Sequence, residues 1–157
     1  MKIDPYVLIS QFVEYHIGVI NDWVKWVQLE RSLPSYQSML RKTVAANDPY
    51  TFFESRLDEF LSDYDRKEKK ILGDYIKLIG WFKDNRISEA TRKIAVDSEM
   101  YEKRKEIEKM IAGVNGLATD LIGDCKKIGY AGNSLAFLEV LANQNATEVI
   151  AMYIRHA

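Results

Sequence analysis

Between residues 5 and 29 the polar positions fall on one narrow stripe. Gln11, Glu14, Gly18, Asn21, Asp22, Lys25 and Gln28 recur at spacings of about three and four, the signature of a single helix face. Leu8, Ile9, Phe12, Val13, Tyr15, Ile17, Val19, Ile20, Trp23, Val24, Trp26 and Val27 cover the rest of the circumference. So wide an apolar surface needs neighbours on two or three sides. The segment is therefore the central rod of a helical bundle, or a rod shared with another subunit.

The same period continues along the chain. Asp4-Pro5 is a capping carboxylate followed by a proline suited to the first helical position, and predicts a helix to about Glu30. Ser32-Leu33-Pro34-Ser35 breaks it, and a second helix follows from about Pro34 to Ala46. Asn47-Asp48-Pro49 repeats the start signal ahead of a stripe of Phe53, Leu57, Phe60, Leu61 and Tyr64. Residues 65–70 are charged but hold no breaker, so they read as an exposed helical turn or a short joint. Ile71, Leu72, Tyr75, Ile76, Ile79 and Phe82 form the next stripe, ended by Asp84-Asn85-Arg86.

Residues 87–105 are the least regular. A solvated helix with charge pairs fits them, and a mobile insertion or a small hairpin over Arg92–Val96 stays open. Beyond them Ile107, Val114, Leu121 and Ile128 lie seven apart, a bundle seam. Gly113 and Gly116 weaken that seam or admit another helix closely. Gly129-Tyr130-Ala131-Gly132-Asn133 is a loop, and Ser134 is suited to cap a short helix over Leu135–Leu141. Asn145 and Glu148 have capping-box spacing before a last helix that turns Val149, Ile150, Tyr153 and Ile154 inward. The fold class is all-α: one helical domain over residues 1–157, a bundle of about six to eight helices.

Composition narrows the function. A chain of 157 residues is typical of one domain, and 47% hydrophobic residues suffice for one core. With 22 basic against 23 acidic residues and a net charge of −1, this is not a strongly basic DNA-coating protein, though a local basic groove is compatible with it. The single cysteine, Cys125, excludes an internal disulfide and reads as a small buried hydrophobe. The start, Met1-Lys2-Ile3-Asp4-Pro5, lacks the pattern of a secretory signal. Charges interrupt the first helix too often for a membrane span, so the cytoplasm is the expected compartment.

No catalytic residue, metal site or cofactor is expected. His16 reads as a satisfied core or rim histidine and His156 as a helix-end cation. Neither a Glu-x-x-His pair for di-iron chemistry, a phosphate loop nor a nucleophile elbow is present. Asp58, Glu59, Asp63 and Asp65, with Glu54 a turn away, read as a solvated helix face. The basic pairs carry more. Arg41-Lys42, Arg92-Lys93 and Lys126-Lys127 have the fewest acidic neighbours, and together on one face they would form a phosphate track. Tyr36, Tyr101 and Tyr130 are candidates to stack on bases. Phe12, Tyr15, Val19, Trp23 and Trp26 are the expected partner interface.

Three features carry a resemblance: the glycine turn running into an apolar helix (Gly129 to Leu138), the heavily apolar first helix and the paired basic residues. In these the chain resembles the small all-α subunits of CRISPR effector complexes. The resemblance is one of architecture over most of the chain, and the family's usual basic surplus is absent here. It implies a non-enzymatic subunit of an RNA-guided nucleoprotein complex. Such a subunit would pack against other protein subunits and support RNA or single-stranded DNA backbone through scattered basic side chains. The alternative is a homo-oligomeric helical adaptor or regulator with no nucleic-acid role.

Overall fold

A computed structural model describes the backbone of residues 5–45, 51–84 and 89–156, and the side chains of 7–43, 51–84 and 102–156. The described chain is six α-helices: α1 (Pro5–Ser32), α2 (Pro34–Ala45), α3 (Thr51–Asp84), α4 (Glu89–Ile128), α5 (Asn133–Asn143) and α6 (Ala146–His156). The all-α expectation is met, at the lower end of the expected number of helices.

Two alternatives left open by the sequence are resolved as helix. The charged run 65–70 lies inside α3, because nothing in it breaks a helix and its charges pair along the axis: Lys69 with Asp65 at 2.7 Å and Lys70 with Asp74 at 2.7 Å. The backbone of 92–96 is helical within α4, which removes the hairpin alternative. Residues 87 and 88, the side chains up to Tyr101, and the start signals at Asp4 and Asn47-Asp48-Pro49 lie outside the described residues.

Four columns make the bundle. α1 and α4 run in the same direction, since Lys103 meets Glu14 at 2.5 Å and Arg31 meets Asp124 further up both helices. α1 passes beside Gly113, where an added Cβ would stand 3.9 Å from Val24 in ordinary van der Waals contact, so the packing does not depend on a glycine there. α3 runs against α1, with Phe12 on Tyr75 and Trp26 on Phe60. α5 and α6 form the fourth column, following α3 from the Ser134–Asp58 bond to the Tyr153–Tyr75 contact. α1 stands diagonally from α5 and α6, and α3 diagonally from α4. α2 closes the end at which α1 and α4 finish and α3 begins, touching all three.

The opening rod is one of the four columns and buries much of its apolar surface within the chain. Ile9, Val13, Ile20, Trp23 and Val27 are buried, while Gln11, Glu14, Asp22, Lys25 and Gln28 are exposed. The heptad seam Ile107, Val114, Leu121 and Ile128 is buried as well, with Cys125 beside it. Burial pushes the Cys125 thiol up to about 11.

The turn after α4 follows from one glycine. Gly129 sits at φ +70°, a conformation that strains any residue with a Cβ. Its N–H bonds the Lys126 carbonyl and the next N–H, of Tyr130, reaches back to Cys125, closing the helix end. Ser134 is not the cap of α5: it lies inside the helix and donates to Asp58 at 2.8 Å, and Gly132 holds the cap position. Asn145 does cap α6, accepting from the Glu148 N–H at 3.0 Å. Val149 and Tyr153 face inward there, but Ile154 is 49% exposed, correcting the inward expectation.

Candidate interaction surface at one end of the bundle

Asp124 organises the end that α2 closes. Its carboxylate is buried, and a charge there stands only if it is paired and hydrogen-bonded. Arg31, in the last turn of α1, grips it with two bonds, Nε to Oδ2 at 2.7 Å and Nη2 to Oδ1 at 3.0 Å. The Tyr36 hydroxyl, from α2, donates to Oδ2 at 2.8 Å. Three helices therefore meet at one carboxylate. The bond to Asp124 holds Arg31 above its usual range, and burial, with the Asp124 charge adding to it, pushes the Tyr36 phenol well up. Gln37 completes the corner by donating to the Arg31 carbonyl at 2.9 Å.

This latch brings two of the three expected basic pairs to the same end. Arg41 and Lys42 are exposed on α2, and Lys126 and Lys127 on the last turn of α4. Lys127 lies 4.0 Å from Asp124, the outer limit of pairing. Arg41, Lys42 and Lys126 make no ion pair with any described residue. Arg92 and Lys93 do not join them. Their side chains lie outside the described residues, and their backbone belongs to the opposite end of α4. At 1.5 Å per residue, the separation along the helix is about 50 Å. A track holding all three pairs together is not formed.

Apolar side chains are exposed at the same end. Leu29 is 67% exposed, Leu33 43% and Phe52 77%. Leu29 and Leu33 flank Glu30, which lies 3.9 Å from Arg56, one turn after Phe52. The expected partner interface divides instead. Trp23 is inside the chain, its indole N–H donating to the Phe60 carbonyl at 3.1 Å, so it is no interface residue. Its pattern position was ambiguous because α3 covers that side of α1. Phe12, Val19 and Trp26 are half-buried against the core, and Tyr15 is exposed. Of the base-stacking candidates, Tyr36 and Tyr130 are buried, and the Tyr101 side chain lies outside the described residues. Leu29, Leu33 and Phe52 went unnoticed because each sits at a helix end, where periodicity has too few turns to assign a face.

A second polar cluster crosses the waist. His16 is buried on α1, with Nδ1 against the Tyr153 hydroxyl of α6 and Nε2 3.2 Å from Glu68 of α3. Burial, with the Glu68 charge adding to it, holds the Tyr153 phenol well above its usual range. The imidazole thus has a partner at each ring nitrogen, the phenol at Nδ1 and the carboxylate at Nε2. Tyr64 is raised in the same way and bonds Gln144 at 3.3 Å, while Tyr75 donates to the Tyr153 carbonyl at 2.7 Å. His16 is thus the satisfied core histidine its surroundings predicted. Its partners, 52 and 137 residues away, had no signal in the sequence. Glu68 edges into a cleft of about 390 Å³ beside Phe137 and Val140, but the imidazole behind it is closed off.

The acidic face of α3 is solvated, with Glu54, Asp58, Glu59 and Asp65 exposed and Asp63 paired to Arg66 and Lys67. Among the described residues no three His, Cys, Asp or Glu side chains converge as a metal site would require, and no helix is long and apolar enough to cross a membrane. Compared with protein-family models, curated proteins and solved structures, the chain matches none.

Proposed function

We propose that this chain is a non-enzymatic helical subunit of an RNA-guided, CRISPR-type nucleoprotein complex, working in antiviral defence in the cytoplasm. It packs on other subunits through exposed apolar positions and holds nucleic-acid backbone with Arg41, Lys42, Lys126 and Lys127. The observation that supports this reading is the Arg31–Asp124–Tyr36 latch. It fixes α2 against the end of α4, so that two basic pairs from distant stretches of chain share one end with Leu29, Leu33 and Phe52. Unpaired cations beside exposed apolar side chains suit a polyanion held within a protein assembly.

The test is the salt dependence of binding to a labelled RNA strand. Three or four phosphate contacts give a slope of log affinity on log salt of about −2 to −3 for a single strand. Replacing Arg41, Lys42 and Lys126 with alanine should flatten it to about −1. An unchanged slope, or no salt-sensitive binding by the parent protein, contradicts the nucleic-acid part. The exposed Leu29 and Phe52 also fit the second reading, a homo-oligomeric adaptor. That reading requires a stable dimer by light scattering and no affinity for RNA.

A further inference from the structure

Phe52 is the most exposed large apolar side chain among the described residues, at 77%. It stands in the first turn of α3, one turn before Arg56, whose guanidinium bonds Glu59 at 2.9 Å and approaches Glu30 of α1 at 3.9 Å. Those contacts place the helix start that carries the ring beside the end of α1. Glu54, two residues on, projects to a different side of the helix and does not cover it. The aromatic residues that the pattern offered for stacking, Tyr36 and Tyr130, are enclosed in the core. Phe52 is the aromatic ring left open at the end where Arg41, Lys42 and Lys126 stand without acidic partners among the described residues.

We infer that this end takes single-stranded nucleic acid, with an unpaired base stacked on the Phe52 ring while Arg41, Lys42 and Lys126 hold neighbouring phosphates. The inference rests on the function proposed above and adds the residue on which a base stacks. A phenylalanine ring has no donor or acceptor with which to read a base edge. It binds the π-face that every base carries, so it confers no sequence preference. In a duplex those faces are covered by neighbouring base pairs, whereas a single strand offers them freely. Cations alone would hold either form; the exposed ring favours the unpaired one.

The experiment measures fluorescence anisotropy of a labelled oligouridine strand and of a duplex of equal length, each across a salt series. The intact chain should bind the single strand more tightly than the duplex. Phe52→Ala should weaken single-strand binding about tenfold and leave the salt slope unchanged, because a base contact and not a phosphate contact is lost. Phe52→Trp should restore it. Since the ring is exposed, circular dichroism should show both variants as helical as the parent. Equal binding by Phe52→Ala and the parent overturns the inference, as does equal affinity for duplex and single strand; either result leaves the phosphate-binding reading standing. No salt-dependent binding of either form removes both.

Discussion

The latch at the end of the bundle and the network at its waist solve one problem in different ways. The latch ties down α2 with full charges: a buried carboxylate held by a guanidinium that is still 29% exposed, and by one phenol. The waist joins α1, α3 and α6 through one buried imidazole, set between the Tyr153 phenol and Glu68 at the margin. A charge-built joint suits the rim, where Arg31 can return to water if its partner is lost. At the waist a bared hydroxyl meets no solvent, because His16 and Tyr153 are both buried. Damage at the rim should stay local, and damage at the waist should reach the whole fold.

The largest expected effect comes at high pH, where both regions fail together. Tyr36, Tyr64 and Tyr153 are all raised by burial above the usual tyrosine range near 10. The folded chain keeps protons that the unfolded chain releases, so their contribution is fully present below about pH 10 and is lost as pH rises beyond it. Tyrosinate absorbance from these residues should appear together with loss of helical circular dichroism. Ionisation with the helices intact would contradict their enclosure.

Next in size is His16→Ala. It opens a cavity and strands the Tyr153 hydroxyl, at a cost of about 3 kcal/mol. In a domain of this size that lowers the melting temperature by roughly 6–12 °C. Asp124→Ala should cost less, about 2 kcal/mol, because the partly exposed Arg31 rehydrates and the main loss is the bared Tyr36 hydroxyl. Its sharper signature is hydrogen exchange: amides of α2 should lose protection while those of α3 and α6 keep it. If Asp124→Ala loosens the waist as much as the rim, the distinction between the two regions fails. The smallest effect is Gly129→Ala, about 1 kcal/mol from forcing a Cβ into φ +70°, read as a shift in the urea midpoint at unchanged slope.

The same division explains what the sequence made legible. Elements with several turns of apolar period were plain: α1, the first stripe of α3 and the Ile107–Ile128 seam bury most of the residues their spacing assigned, while Tyr15 of α1 and Ile76 of the second α3 stripe stay exposed. The joint at 65–70 was undecidable, since a charged stretch without a breaker is equally consistent with a helix and with a linker; the ion pairs along α3 decide it. Both polar clusters were invisible, because each joins residues far apart in the chain. Asp124 carried no distinguishing signal in the sequence, and His16 lacked a partner within reach of its own helix. At the candidate surface, Arg41, Lys42, Lys126 and Lys127 were found from composition alone. Which pairs share an end was not, because that depends on the parallel course of α1 and α4 and on where α2 folds back.

A subunit of the proposed kind has the basic, apolar end of its bundle covered in the cell by nucleic acid and other subunits. The most direct measurement is native mass, by size-exclusion with light scattering, of the chain gently extracted from the cells that make it, before and after ribonuclease. The expected result is a particle far heavier than the 18.2 kDa chain, containing RNA, and disrupted when Arg41, Lys42 and Lys126 are replaced. A chain that runs alone at 18.2 kDa, unchanged by ribonuclease, would contradict it.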